Sequence, residues 1–543
     1  MSKQFLFIVF LSLFLFLCSH VFSQESDINN NLGEEQSAGS VFKTAAENNI
    51  SSQAIYLINS IRFIVDGYSK PYALMYHGEF TEGEEITGLS NLNIYLSDKQ
   101  QLLYNQRVLE SVRIEHTIGA ERPDGKYPVD LVIYVKDTWN IMVIPRPQYS
   151  DNTGFDLTLK ARDYNFLGTM SPLRVDLGYQ YDQDGNNYIS TMIDSDIPFN
   201  LFGLNWDFNF DHYYNYHPDL EIQHFYRNDT GLSVELPFKR TIFNIGVTES
   251  FIVNQENPER YRKDRYKDGP KKGTEYGRFH EGLYMSTNPY MSWKIPTGLP
   301  YFHLGEINYT PTLSATFIHE FPQWPLPEFR KGPYLSFSHY FDFGRINWKG
   351  NFQSGFYARA SNAFSYNFYK LREEEQPWST NIILRGVGHK VINNFMGVSA
   401  RLMYRHYFFD DYNDNAGDAL RGVLDNSVKA SNMISFNLDV PFRVLKFRPS
   451  EWSVNNKFLR IFDFDLHAIP IVDVALYNYN NSNDPDNQKV FGLSNLLLTA
   501  GFEVIIFPER WRSLFLRISY GRNLSVGDKE NTSEIFIGTE LHY

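Results

Sequence analysis

The chain has 543 residues, with 50 Lys+Arg against 63 Asp+Glu and a formal net charge of −13. It therefore lacks the overall basic surface from which nucleic-acid binders draw their affinity. Aromatic residues make up 16% of the chain while mean hydropathy is −0.38, and the one long apolar run lies at the N-terminus, which excludes a polytopic helical membrane protein with its several runs of about 20 apolar residues.

Residues 1–23 read as a secretory signal. Lys3 gives a short basic start, Phe5 to Leu17 an apolar core, and Val21 and Ser23 stand at positions −3 and −1 before Gln24. Cys18 is the single cysteine. An alternative makes it the acylated residue of a lipoprotein. Cleavage after Ser23 leaves a mature chain without cysteine, which excludes disulfides, cysteine-ligated metals and a cysteine nucleophile. Residues 24–53, rich in Glu, Asn and Ser, read as a flexible linker.

Residues 54–138 read as a small α+β module. Tyr56–Val65 is a β-rich run ended by the turn signal Asp66-Gly67. Ser69–Phe80 and Leu92–Val112 have helical character, the second with Leu92, Leu96, Leu103, Val108 and Val112 near helical spacing. Val112-Arg-Ile114 also reads as a short strand, Asp124-Gly125 marks a turn, and Val129–Val135 alternates as a strand.

From residue 139 to 543 the texture becomes period-2. In Leu204–Asp211, Leu204, Trp206, Phe208 and Phe210 oppose Asn205, Asp207, Asn209 and Asp211. Leu173–Asp182, Ile434–Val440 and Leu514–Arg522 alternate in the same way. Period 2 indicates strands with two chemically different faces. A soluble sandwich shares that period. Aromatics on one face, charges on the other and the length of the repeating region favour a transmembrane antiparallel β-barrel. At ~25 residues per strand and connection, roughly 16 strands fit. Residues 252–280, charged and punctuated by Gly and Pro, read as a long external loop.

The chain ends Phe536-Ile-Gly-Thr-Glu-Leu-His-Tyr543, with Ile535, Ile537, Leu541 and Tyr543 on one face and Glu534, Phe536, Glu540 and His542 on the other. Gly538, Leu541 and Tyr543 resemble the C-terminal sorting signal of outer-membrane barrels.

Several short stretches carry a more specific likeness. Asp163-Tyr-Asn-Phe-Leu-Gly168, Leu420-Arg421-Gly422-Val423 and Ile471-Val-Asp473-Val-Ala475 occur in that order. One α+β module, a barrel and these stretches resemble the BamA/TamA-like superfamily of outer-membrane assembly factors, or bacterial surface antigens. Residues 54–138 are similar to one of its polypeptide-transport-associated (POTRA) modules. Leu420–Val423 resembles its Arg-Gly-aromatic motif on an inward loop, and Ile471–Ala475 its Phe-x-Asp-x-Gly strand motif. The resemblance implies that Arg421 reaches Asp473 or a neighbouring lumen carboxylate such as Glu503, since the planar fork of Arg matches a carboxylate. Gly422 would allow the tight backbone. Alternation places Asp473 opposite Val472, Val474 and Leu476, hence inward. Val423, Ile471 and Ala475 depart from the family's aromatic, Phe and Gly, and the single module departs from its usual larger number.

No Gly-x-Ser-x-Gly, His-Glu-x-x-His or phosphate-cradling Gly-x-x-x-x-Gly-Lys is present, and His319-Glu320 is followed by Phe-Pro-Gln. No catalytic residue, metal or cofactor is expected. The resemblance implies an outer-membrane protein with its module in the periplasm, inserting or translocating clients. Its partners would be outer-membrane lipid, unfolded outer-membrane or secreted clients, periplasmic chaperones and accessory lipoproteins, with no nucleic acid. The alternatives are a passive channel with a docking module and a surface adhesin.

Overall fold

The computed structural model describes residues 54–150, 154–181, 187–219, 223–256, 279–300, 306–321, 323, 331–372, 376–408, 414–415, 419–423, 428–452, 459–478, 495–512, 514–525 and 533–538. The expected signal and linker segments lie outside the described residues, as do Leu541 and Tyr543 of the expected sorting signal.

The N-terminal elements are β1 (Ile55–Asp66), α1 (Pro71–His77), β2 (Glu85–Thr87), α2 (Leu89–Asn105), β3 (Leu109–Ile118) and β4 (Lys126–Asp137). Their sheet runs β2-β1-β4-β3. Pro71 opens α1, where its missing N–H costs nothing and its fixed φ suits a first turn. The helix expected over 92–112 stops at Asn105 instead, and Leu109–Ile118 is a strand. Val108 and Val112 satisfy either spacing, and Arg107, at φ 58°, breaks the helix before them.

The described residues form two compact units. One comprises 54–60, 82–96 and 116–130. Within it Tyr56, Ile58 and Leu92 are buried, and Asp130 accepts hydrogen bonds from Asn59 and Ser60 at 2.7 and 2.5 Å. Gly125, at φ 76°, makes the turn expected at Asp124-Gly125.

The other unit comprises 61–81, 97–115 and the rest of the chain from Leu131. Here a meander of antiparallel strands runs from Ile141–Ser150 to Ser533–Gly538, and the last pairs with the first to close a barrel. Among the described residues the barrel has nineteen segments. Two of these, Asn432–Asp439 and Phe442–Phe447, share the neighbours Met396–Phe408 and Phe464–Asn478 and are halves of one strand, interrupted around Pro441, which has no N–H to donate. The wall is therefore eighteen strands wide, not the expected sixteen. The reason lies in the turns. Phe202-Gly203 and Gly350-Asn351 each join two long strands with two residues, so a strand and its connection take fewer than the ~25 residues assumed.

Burial along the strands is inverted relative to a soluble protein. In Leu516–Asn523, Leu516, Ile518 and Tyr520 are exposed while Arg517, Ser519 and Asn523 are buried. In Phe464–Asn478, Val472 is 41% exposed and its neighbour Asp473 is 0% exposed. A sandwich core would bury the apolar face, whereas a barrel in lipid turns it outward and keeps polar groups inside. The pattern therefore distinguishes the two β architectures that period 2 leaves open. The external loop expected over 252–280 is narrower, because strands Thr241–Glu256 and Phe279–Pro300 occupy both its ends. Residues 257–278 lie outside the described set.

Candidate functional site: an inward segment seated on the barrel wall

Residues 419–423 follow strand Met396–Phe408 and lie against the inner wall. Leu420 and Val423 are buried, clustered with Ala419, Val428, Ala430, Met433, Ala475, Tyr477 and Leu497. Val423 and Ala475, two of the three departures from the resembled motifs, thus belong to one apolar floor. Arg401 holds the base of the segment, donating from Nε to Asn437 Oδ1 at 2.9 Å and from its terminal nitrogen to the Ala419 carbonyl at 3.1 Å. Asn437 Nδ2 donates to the same carbonyl at 2.8 Å.

At the tip, the sequence-expected pair is brought together. Arg421 donates from Nε to Asp473 Oδ2 at 2.9 Å and from Nη2 to Asp473 Oδ1 at 2.6 Å, the planar fork meeting both carboxylate oxygens. Its backbone N–H also donates to Asp473 Oδ2, at 2.9 Å. Nη2 reaches Asp439 Oδ1 at 2.6 Å, and Nη1 lies 3.3 Å from Glu503 Oε1. Glu503 in turn accepts from Ser519 Oγ at 2.9 Å and faces Arg517 at 3.7 Å. The side chains of Arg421, Asp473 and Glu503 are at most 5% exposed. Buried charges of this kind are tolerated only when paired and hydrogen-bonded, and removing one member leaves the others uncompensated.

Gly422 lies at φ 95°, and a Cβ there would sit 2.5 Å from the Arg522 nitrogen. A Cβ on Gly521 would sit 2.6 Å from the Arg421 carbonyl carbon. Two facing glycines thus let the tip lie backbone against backbone on the wall. The Gly422 N–H donates to Glu534 Oε2 at 3.1 Å. Gly538, of the expected sorting signal, is buried in the terminal strand, and a Cβ there would collide with the Phe536 ring and approach Arg146 Nη2 to 2.8 Å.

Sequence reasoning missed Asp439 and Glu534 as partners of the tip. Both stood on the polar face of an alternating segment, but alternation does not say which lumen residues a distant loop meets. It also gave no role to Asn165 in the Asp163–Gly168 stretch. Asn165 Nδ2 donates to Ser69 Oγ at 2.9 Å and to Asp137 Oδ2 at 3.2 Å. Asp137 Oδ2 also accepts the Tyr68 and Ser69 N–H groups, at 2.6 and 3.0 Å. Gly168, at φ 78°, accepts from Lys70 N–H at 2.8 Å, and a Cβ there would sit 2.2 Å from the Tyr68 carbonyl oxygen. This stretch therefore fastens the segment entering α1 to the start of the barrel.

No family model matches the chain, and no curated protein matches it. Among solved structures it is similar to CdiB from Escherichia coli, at 11% identity and a TM-score of 0.48 over 89% of this chain and 76% of that one. It is similar to CdiB from Acinetobacter baumannii, at 12% identity and a TM-score of 0.44 over 89% and 73%. It is also similar to BamA from Haemophilus ducreyi lacking POTRA domains 1–3, at 13% identity and a TM-score of 0.38 over 89% and 84%.

Proposed function

We propose that the protein is an outer-membrane factor that inserts or translocates unfolded client proteins and performs no chemistry of its own. The observation that carries this reading is the Arg421 tip, seated on Asp473, Asp439 and Glu503 inside an inverted-polarity barrel. A simple pore has no need of an inward segment fixed by buried charges on its wall. The resemblance of Leu420–Val423 and Ile471–Ala475 to the assembly-factor motifs points the same way.

The N-terminal sheet supplies the periplasmic capture step. Its outer strands are β2 and β3, and the β2 segment bonds β1 from Ala54 to Ile58, short of its end at Asp66. Open edges accept an extended client through main-chain hydrogen bonds. Unpaired backbone groups cannot enter lipid, so a client barrel needs an edge as a template. The first and last barrel strands, which meet at Phe536↔Ser150, would supply that edge. Periplasmic chaperones would deliver the client, and accessory lipoproteins would assist.

Joining Ser150→Cys to Phe536→Cys by a disulfide tests this. Locked protein is expected to lose client insertion and regain it on reduction. Undiminished insertion by the locked form would refute the seam. A passive channel is the second reading, favoured by the acidic wall formed by half-buried Asp194, Asp207 and Asp211 with exposed Asp196.

A further inference from the structure

The seated tip does more than meet one carboxylate. Asp439, Asp473, Glu503, Gly521 and Glu534 stand on five consecutive strand positions of the wall. Arg421 and Gly422 contact all five, and the last is the terminal strand.

We propose that Glu534 is a positioning residue that latches the seated loop tip to the terminal strand by accepting the Gly422 N–H. A buried backbone N–H must find an acceptor, and Gly422 is buried with its donor turned to the wall. A carboxylate acceptor makes that bond charge-assisted. Among the described residues, the six registered pairs Arg517↔Gly538 to Arg522↔Ser533 join the terminal strand to one neighbour, and Phe536↔Ser150 joins it to the other. A second link runs parallel, since the Arg517 guanidinium lies 4.3 Å from the centre of the Phe536 ring and 3.7 Å from Glu503. Displacement of the terminal strand from its seat therefore pulls on Gly422, and a seated tip holds the strand in place. The meaning of the latch for client entry rests on the proposed function, but the latch itself does not.

The test is amide hydrogen exchange on the full mature chain in lipid nanodiscs, without client. Glu534→Ala is expected to speed exchange across 533–538 about tenfold, the scale of one lost hydrogen bond to a charged group. Strand Phe464–Asn478 should be unchanged. Glu534→Gln retains an acceptor oxygen and should restore protection, which a general folding defect would not permit. Wild-type exchange in Glu534→Ala, or equal loosening of 464–478 and 533–538, would overturn the latch. Client insertion is scored separately. A loosened strand with unaltered insertion would uphold the latch and remove the insertion reading.

Discussion

Two parts of the same wall treat inward carboxylates in opposite ways. On strands Asn187–Leu201 and Leu204–Tyr216, Asp194, Asp196, Asp207 and Asp211 share the inner face, and Tyr72, Ala73 and Tyr76 of α1 line a cavity with Asp196 and Asp207 without any cation of their own. Asp194 pairs with Arg174 at 2.9 Å, yet that arginine side chain is 44% exposed. That cavity, of about 350 Å³, opens beside Asp196, Asp207 and Glu235. Around the tip, by contrast, the remaining cavity beside Asp439 and Glu503 is about 60 Å³, and the Arg421 side chain is 5% exposed. Inward carboxylates become solvated or structural according to whether the segment facing them leaves a wide cavity or seals an arginine against them. Water screens the first set, whereas the second depends on its arginine.

Removing that arginine should have the largest effect. Arg421→Ala leaves Asp439, Asp473 and Glu503 buried together, and urea unfolding in lipid vesicles should show a loss of about 3–5 kcal/mol. Gly422→Ala comes next, because it forces a side chain into the left-handed region and against the Arg522 backbone. A loss of about 1–3 kcal/mol is expected, with faster hydrogen exchange over 419–423. Asp207→Asn on the open wall should stay within about 0.5 kcal/mol of wild type while weakening any cation preference in conductance. A penalty as large as that of Arg421→Ala would break the contrast between the walls.

The smallest effect is a pH dependence where α1 meets the barrel. His77 Nε2 lies 3.1 Å from the Thr169 carbonyl, and burial lowers its pKa below the ordinary histidine value. The folded state then disfavours the imidazolium. Its contribution is complete above the ordinary value and is lost as pH falls below it. Protease nicking of α1 should rise modestly between pH 7.5 and 5, and His77→Gln should flatten that rise.

The sequence carried the period-2 strands and the inward aim of Asp473 directly, because Val472, Val474 and Leu476 alternate with it. Arg421 was legible only through resemblance, since nothing in local periodicity says where a loop tip lands. Glu534 and Asp439 were visible as acids on one face of an alternating segment but not as its partners. The strand number was underestimated because two-residue turns such as Phe202-Gly203 leave little trace in composition. In the module, only Val112–Ile114 of β3 was legible as strand, because Val108 and Val112 fit both periods and the left-handed Arg107 that ends the helix leaves no mark in the sequence.

The most direct measurement places the protein in liposomes with an unfolded barrel client and follows client folding, with and without Arg421→Ala and with and without residues 54–138. The account predicts that the wild type accelerates folding over empty liposomes, that loss of 54–138 abolishes the gain, and that Arg421→Ala reduces it. No acceleration by the wild type, together with high solute conductance, would contradict the account and favour a passive channel.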